Sequence, residues 1–262
     1  MLSIVATAQA ARRRGRCIEM SPRISVCTVV YNGARDIGAT IDSTLGQDHP
    51  EVECIVIDGA SQDGTAAIVT GYGAAIDVFV SEPDRGIYDG MNKAAARARG
   101  EFLLFMNCGD VFDGPTALST LAGGLQGDGE QMVFGGWVRR NAQGLRSSCR
   151  PLLPRGVFNH QAVLYSRTLH DRFGPYATVR GLTAADYLFF ATVLADGQVP
   201  AHVVDADVAV VDVGGISAGR QTLAQKTAID FLCGRTGRYE LAAVLALHPL
   251  YRRAKRLLGR QP

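Results

Sequence analysis

The strongest constraint on the fold is a unit repeated through the first half of the chain: a short apolar run, a polar or glycine stop, then an amphipathic stretch. Ile24-Ser-Val-Cys-Thr-Val-Val30 has the β-branched character of a buried strand and stops at Tyr31-Asn32-Gly33. Residues 36–45 follow with apolar positions at Ile37, Ile41 and Leu45, a helical stripe. Glu53–Ile57 repeats the strand, Asp58-Gly59 ends it, and Asp63-Gly64-Thr65 opens a helix reaching Tyr72. Asp77–Val80 predicts a third strand and Ile87–Arg99 a third helix closed by Gly100. Phe102–Met106 predicts a fourth strand, ending at Asn107-Cys108-Gly109-Asp110. Strands alternating with helices in this way form a parallel sheet with right-handed crossovers.

In such a sheet the ligand crevice lies beyond the carboxyl ends of the strands. Asn32, Asp58, Glu82, Asp84 and Asp110 all fall there, more polar groups than packing requires. Carboxylates without a histidine or cysteine cluster suit a hard cation, Mg²⁺ or Mn²⁺, shared with a phosphate. No GxxxxGK[ST] loop is present and no GxGxxG opens the first helix, so a nucleotide must be bound another way.

Composition narrows the class. With 262 residues, 47% hydrophobic, 20% charged and a net charge of +2, the chain buries enough apolar surface to exclude disorder as its dominant state. The near-neutral balance disfavours a nucleic-acid partner. Six scattered cysteines with no CxxC pair read as reduced thiols of a cytosolic protein, without structural zinc. No apolar run approaches the roughly 20 residues of a membrane-spanning helix. In residues 1–22 the apolar part precedes Arg12-Arg13-Arg14, the wrong order for a secretory signal. That stretch reads as a disordered extension, with Met20 an alternative start.

Past residue 115 the pattern weakens. Met132–Arg140, Gln161–Ser166 and Ala201–Val211 look like strands and Ala184–Ala195 like a helix. Gly214-Gly215-Ile216-Ser217 reads as a turn, and Gln221 onward as helical. The expected organisation is one domain over 23–220 and a helical tail, 221–262, on the domain or on a membrane surface. In the tail, Leu250, Ala254, Leu257 and Leu258 accompany Arg252, Arg253, Lys255 and Arg256, a basic amphipathic pattern suited to an anionic lipid surface. A solvated helix end with basic residues near its C-terminus gives the same pattern.

Val29-Val30-Tyr31-Asn32, Ile55–Thr65, Ser81–Lys93 and Asn107–Asp110 together resemble the family 2 glycosyltransferases, with colanic-acid-type sugar transferases the nearest likeness. The likeness runs from Ile24 to Ser217 and is more specific in its first half. It implies a GT-A fold, a UDP- or GDP-sugar donor, a divalent metal and transfer with inversion. The acceptor it implies is a saccharide, lipid-linked, in bacterial surface polysaccharide synthesis, which puts the enzyme in the cytoplasm or on the inner face of the plasma membrane.

Carried over by position, the resemblance implies nucleotide contacts from Val30, Asn32, Asp58, Asp84, Arg85 and Asn92. Asp58 would accept from a base N–H, Arg85 would clamp phosphate and Lys93 could reach it. Asp110 is the expected metal ligand with Asn107 as helper, a departure from the two aspartates of a DxD motif. Asp186, in Thr183-Ala-Ala185-Asp186-Tyr187, is the expected catalytic base, and His160 a contact to donor sugar or acceptor. Each has a plainer alternative: turn formation for Asp58 and Asp110, helix-terminal charge for Asp186, a structural role for His160, solvent for Lys93. Asp63 reads as a turn residue outside the site. A nucleotidyltransferase would also use acidic strand ends, but it needs a basic loop after the first strand, where only Arg35 is on offer. The asparagine at 107 leaves a non-catalytic sugar-nucleotide-binding protein as a third reading.

Overall fold

The computed structural model describes residues 21–141, 143–212, 220–239 and 241–242, and every structural statement below concerns those residues. Residues 1–20, the Gly214–Ser217 turn and the basic segment from Leu250 lie outside the described residues.

The repeating first half folds as its pattern predicts. Its order is β1 (Ile24–Val30), α1 (Ile37–Leu45), β2 (Val52–Asp58), α2 (Thr65–Gly71), β3 (Val78–Ser81), α3 (Ile87–Arg97) and β4 (Phe102–Phe105). β1 pairs in parallel with β2, Ile24 opposite Val52 through Val30 opposite Asp58, and β4 lies in parallel on its other side. β3 extends the sheet beyond β2, also in parallel. All seven residues of β1 are buried, as expected of a central strand covered on both faces.

One face carries Cys27, Val29, Ile55, Ile57, Met91 and Phe105 into the larger core, with Tyr165, Phe189 and Phe190. The other face packs Val30 and Val56 on Ile37 and Ile41 of α1. Helix α3 sits close on β1, since a Cβ at Gly90 would lie 2.5 Å from Val29 Cγ1.

The second half comprises β5 (Val111–Phe112), α4 (Ala117–Ala122), β6 (Met132–Arg140), β7 (Arg146–Cys149), β8 (Val163–Ser166), α5 (Leu169–Phe173), α6 (Ala185–Asp196), β9 (Ala201–Asp212) and α7 (Arg220–Leu232). Along the sheet the strands run β3-β2-β1-β4-β8-β6-β9-β5, with β7 paired to β6. The parallel sheet of the first half becomes mixed in the second. β4–β8, β6–β8, β6–β7 and β5–β9 are antiparallel, and β6–β9 returns to parallel. The reversal begins at β8, which returns beside β4 after β5, α4, β6 and β7 and runs antiparallel to it, pairing Phe102 with Ser166 and Leu103 with Tyr165. The sheet is therefore mixed, flanked by helices.

Helix α7 lies against the body. Gln225 Oε1 accepts from Thr183 N at 2.9 Å, Gln221 and Gln225 both donate to Gly181 O at 2.7 Å, and Tyr187 donates to Asp230 at 2.6 Å. Among the described residues no helix is long and apolar enough to cross a membrane.

Candidate functional site

The carboxyl ends of β1, β2 and β3 are tied into one rigid rim. Asn32 and Ala60 adopt left-handed backbone, φ 49° and 62°, a conformation asparagine tolerates better than most residues. Asn32 N donates to Ser61 Oγ at 2.7 Å and Asn32 Oδ1 accepts from Gln62 N at 2.9 Å. Val30 O accepts from Gly59 N at 2.9 Å. Asp63 accepts from Ala34 N at 2.9 Å and Thr65 N at 3.1 Å, which makes it the turn residue its position suggested.

Asp58 is fully buried. Its carboxylate accepts from Ser61 N at 3.2 Å, from Ser81 Oγ at 2.6 Å and from Ser61 Oγ. The group placed by sequence against a base thus also closes the turn, with both oxygens engaged there. Asp84 lies over Gly59, where a Cβ would come within 2.6 Å of Asp84 Oδ2, and its Oδ1 accepts from Gly86 N at 2.8 Å. Tyr31, 65% exposed, flanks the same glycine.

Two of the residues expected at the nucleotide, Asn92 and Arg85, are bonded within the protein. The Asn92 amide is engaged at both ends: its Nδ2 donates to Tyr176 O and its Oδ1 accepts from Tyr176 N, both at 2.8 Å. Arg85, two residues before α3, donates to Asp89 Oδ1 on the first turn of that helix, from Nε at 3.2 Å and Nη2 at 2.7 Å. Asp89 sits where the helix N-terminus and Arg85 both favour its charge, and its carboxyl is held below the usual range, by the Arg85 hydrogen bond first. Lys93 donates to Pro83 O at 2.8 Å and pairs with Glu82 at 3.0 Å, so it too is engaged.

Beyond β4 the structure brings four expected residues together and adds two. His160, in the short helical turn His160–Ala162 before β8, places Nδ1 2.7 Å from Asp186 Oδ2. Its Nε2 lies 3.0 Å from Asn107 Nδ2. The other oxygen of Asp186 accepts from the Tyr88 hydroxyl at 2.8 Å. Next to His160, Gln161 donates from Nε2 to Asp110 Oδ2. Tyr88 and Gln161 stand inside segments that sequence reasoning singled out, yet neither was assigned a part. Their signal is positional: each adjoins a predicted site element.

The two carboxylates are driven in opposite directions. Burial pushes the Asp110 carboxyl up, His160 in its cationic form and the Gln161 hydrogen bond pull it back, and the result is about 6. Burial also acts upward on Asp186, but there His160 in its cationic form, its hydrogen bond and that of Tyr88 prevail and hold it at about 2.

Among the described residues no three His, Cys, Asp or Glu side chains converge as a ready cation cage. The donor set is of another kind. Asn107 Oδ1 and Gln161 Oε1 are buried acceptors with no partner among the described residues, beside an Asp110 carboxylate that burial discourages from ionising alone. Unpartnered buried oxygens ask for a ligand, and amide and carboxylate oxygens suit Mg²⁺ or Mn²⁺, which take few protein ligands and complete their shell with phosphate and water. The residues present therefore fit a divalent cation. A groove of about 870 Å³ lined by Pro22, His49, Glu101 and Arg167 opens at the amino ends of β1 and β4, the end of the sheet away from this cluster.

Comparison with known proteins agrees with this architecture. The chain is 31% identical over 173 residues to an uncharacterized glycosyltransferase of Mycobacterium tuberculosis, a match spanning 63% of this chain and 66% of that protein. It is 28% identical over 177 residues to a PGL/p-HBAD biosynthesis glycosyltransferase of Mycobacterium bovis, covering 64% and 68%. The solved structure of Staphylococcus aureus TarS 1-349 in complex with UDP superposes with a TM-score of 0.66 at 20% identity, over 85% of this chain and 68% of that one. The mannosyltransferase PcManGT from Pyrobaculum calidifontis, in complex with GDP-Man and Mn²⁺, gives 0.65 at 23% identity, over 87% and 70%. These neighbours share the GT-A fold that the sequence motifs imply. The profile of Glycosyl transferase family 2 matches residues 25–186, more than half of the sequence, and the chain belongs to that family.

Proposed function

We propose that the protein is an inverting glycosyltransferase that moves a sugar from a UDP- or GDP-sugar to a saccharide acceptor. The observation that carries this reading is the gathering of Asp186, His160, Asn107 and Asp110 into one hydrogen-bonded cluster at the carboxyl ends of the strands. The donor reading draws on the neighbours solved with UDP and with GDP-Man and Mn²⁺. A surface-glycan acceptor, lipid-linked, draws on the relative named for PGL/p-HBAD biosynthesis, and it agrees with work at the inner face of a membrane.

In this mechanism the nucleotide lies along the rim formed by Tyr31, Asn32 and Asp84, where the missing Cβ of Gly59 lets Asp84 and Tyr31 close over the backbone. Asp110, with the oxygens of Asn107 and Gln161, would hold the cation, which neutralises charge on the departing diphosphate. Asp186 takes the acceptor hydroxyl proton while that oxygen bonds to the anomeric carbon and the bond to the diphosphate breaks. Each oxygen of Asp186 accepts one hydrogen bond and keeps a second lone pair for this proton. A carboxyl held at about 2 is a weak base. It suffices because the hydroxyl becomes strongly acidic as its oxygen bonds to carbon, so proton transfer can trail bond formation.

The test is nucleoside diphosphate release from UDP-GlcNAc and GDP-mannose, with and without Mn²⁺ and a panel of glycan acceptors, followed by NMR of the product's anomeric configuration. Inversion is expected, because one displacement assisted by one base leaves no covalent sugar intermediate. A product with retained configuration would overturn the reading.

A further inference from the structure

The reaction cluster contains a connection that a bare carboxylate base does not need. Asp186 accepts from Nδ1 of His160, so that nitrogen carries a proton. The other ring nitrogen, Nε2, faces the amide nitrogen of Asn107 at 3.0 Å, an arrangement that makes a hydrogen bond only if Nε2 offers its lone pair. One tautomer of one imidazole therefore satisfies both contacts. It also decides which end of the Asn107 amide is used: the nitrogen is engaged and Oδ1 is left as a buried acceptor without a partner among the described residues. With the opposite tautomer, Nε2–H would draw Oδ1 toward the ring and present the amide nitrogen in its place, a group no cation accepts.

We propose that His160 is a positioning residue that ties the two ends of the reaction together: its Nδ1–H orients Asp186, and its Nε2 turns the Asn107 amide so that Oδ1 is presented to a cation. The inference deepens the proposed function and rests on it for the role of Asp186. It accounts for an asparagine standing where a DxD motif has its first aspartate. An aspartate at 107 would set a second acceptor against the Nε2 lone pair, whereas an amide supplies a donor to the ring and an acceptor to the cation. The ring is held for this duty, with its side chain 11% exposed and its turn fixed by Asn159 Oδ1 accepting from Gln161 N at 2.9 Å. The adjoining Gln161 repeats the device, donating its amide nitrogen to Asp110 and leaving Oε1 without a partner among the described residues.

The experiment has a spectroscopic and a mutational arm. In protein labelled with ¹⁵N-histidine at neutral pH, the His160 ring is expected to show a proton on Nδ1 and none on Nε2, with the Nδ1–H resonance shifted downfield and that shift lost in Asp186→Asn. Two replacements then split the imidazole. The amide of His160→Asn reaches the place of Nδ1, and that of His160→Gln the place of Nε2. UDP affinity is measured with and without Mn²⁺, and turnover with whichever of UDP-GlcNAc and GDP-mannose the wild type consumes. Loss of a partner that orients a metal ligand typically costs about 10–100-fold. The Mn²⁺ enhancement of UDP affinity should therefore fall about tenfold or more in His160→Asn and less in His160→Gln. Turnover should show the reverse order. Melting temperatures within a few degrees of wild type establish that both variants fold. A proton on Nε2 overturns the proposal, as does the same ranking of the folded variants in both measurements. If Asp186→Asn turns over like wild type, the base reading fails, while the ring's protonation and the Mn²⁺ ranking still decide the role of His160 toward Asn107.

Discussion

The hydroxyl of Tyr88 donates to Oδ1 of Asp186 at 2.8 Å, across 98 residues of sequence. Tyr88 belongs to the first turn of α3, directly after the Asp84-Arg85-Gly86 loop on the donor rim, and Asp186 to the first turn of α6. The bond therefore fixes the proposed base against the element that borders the nucleotide, and burial and Asp186 together push the Tyr88 hydroxyl well above its ordinary value. It stays protonated and stays a donor at any working pH.

Asp186→Asn is expected to leave UDP and Mn²⁺ affinity near wild type, since the amide is nearly isosteric. Transfer should fall by roughly 10²–10⁴-fold, the usual contribution of a positioned base. Stopped or slowed turnover with intact nucleotide titrations checks this, and full transfer by the variant would refute the assignment.

Asp58→Ala should cost stability first. The carboxylate is fully buried and holds Ser61 and Ser81, so its loss leaves those groups unpaired at about 1–3 kcal/mol. Thermal melting should show the drop, and UDP and GDP should weaken by similar factors. A loss confined to one base would instead show the carboxylate reaching that base.

The two shifted carboxylates give opposite pH signatures. Asp110 is raised to about 6, so the unfolded chain releases that proton first and stability declines as pH climbs from about 4 to 6, by on the order of 2–3 kcal/mol. Asp186 is lowered to about 2, so its contribution is present above about 4 and is lost as pH falls toward 2. Without added cation, Asp110→Asn should melt higher than wild type at pH 7 and no higher at pH 4. Adding Mn²⁺ and UDP should stabilise the wild type and not the variant.

Gly90→Ala tests the closeness of α3 to the sheet. The new methyl would meet Val29 Cγ1 at 2.5 Å, and a buried valine on a strand has little rotamer freedom to yield. Overpacking of this kind costs roughly 1–3 kcal/mol, against up to about 1 kcal/mol gained in helix propensity. A lower melting temperature is expected, and an unchanged one would show that α3 can lift off β1.

The first half of the fold was legible because each strand there is a buried parallel strand with its own helix, and both signals are local. The predicted strand over Ile24–Val30 and the predicted helix over residues 36–45 match β1 and α1 almost residue for residue. The second half depends on partners distant in sequence. β5 is two residues long and β7 has the polar sequence Arg-Ser-Ser-Cys, so neither carries a hydrophobic period to read. β9 was legible as a strand over Ala201–Val211, but its pairing with β6, shifted by β-bulges, was not. In the site, residue type and place near strand ends marked Asp110, Asp186, His160 and Asn107. Their mutual bonding was not visible, because Asn107, His160 and Asp186 meet only through tertiary structure. Asn92 shows the limit of motif transfer, since its place on α3 is as expected while its amide is consumed by the backbone of Tyr176.

The place of β8 beside β4 has a consequence for synthesis. Phe102-Leu103-Leu104-Phe105 leaves the ribosome well before Val163–Ser166, the strand that covers its open side. Until then the nascent protein presents a bare apolar strand edge, the template for pairing with another molecule. The repeating units before it already have their neighbours. A fragment that stops short of β8 is therefore expected to aggregate rather than to persist as a soluble half-enzyme, and nascent chains are expected to need chaperone shelter over just that interval.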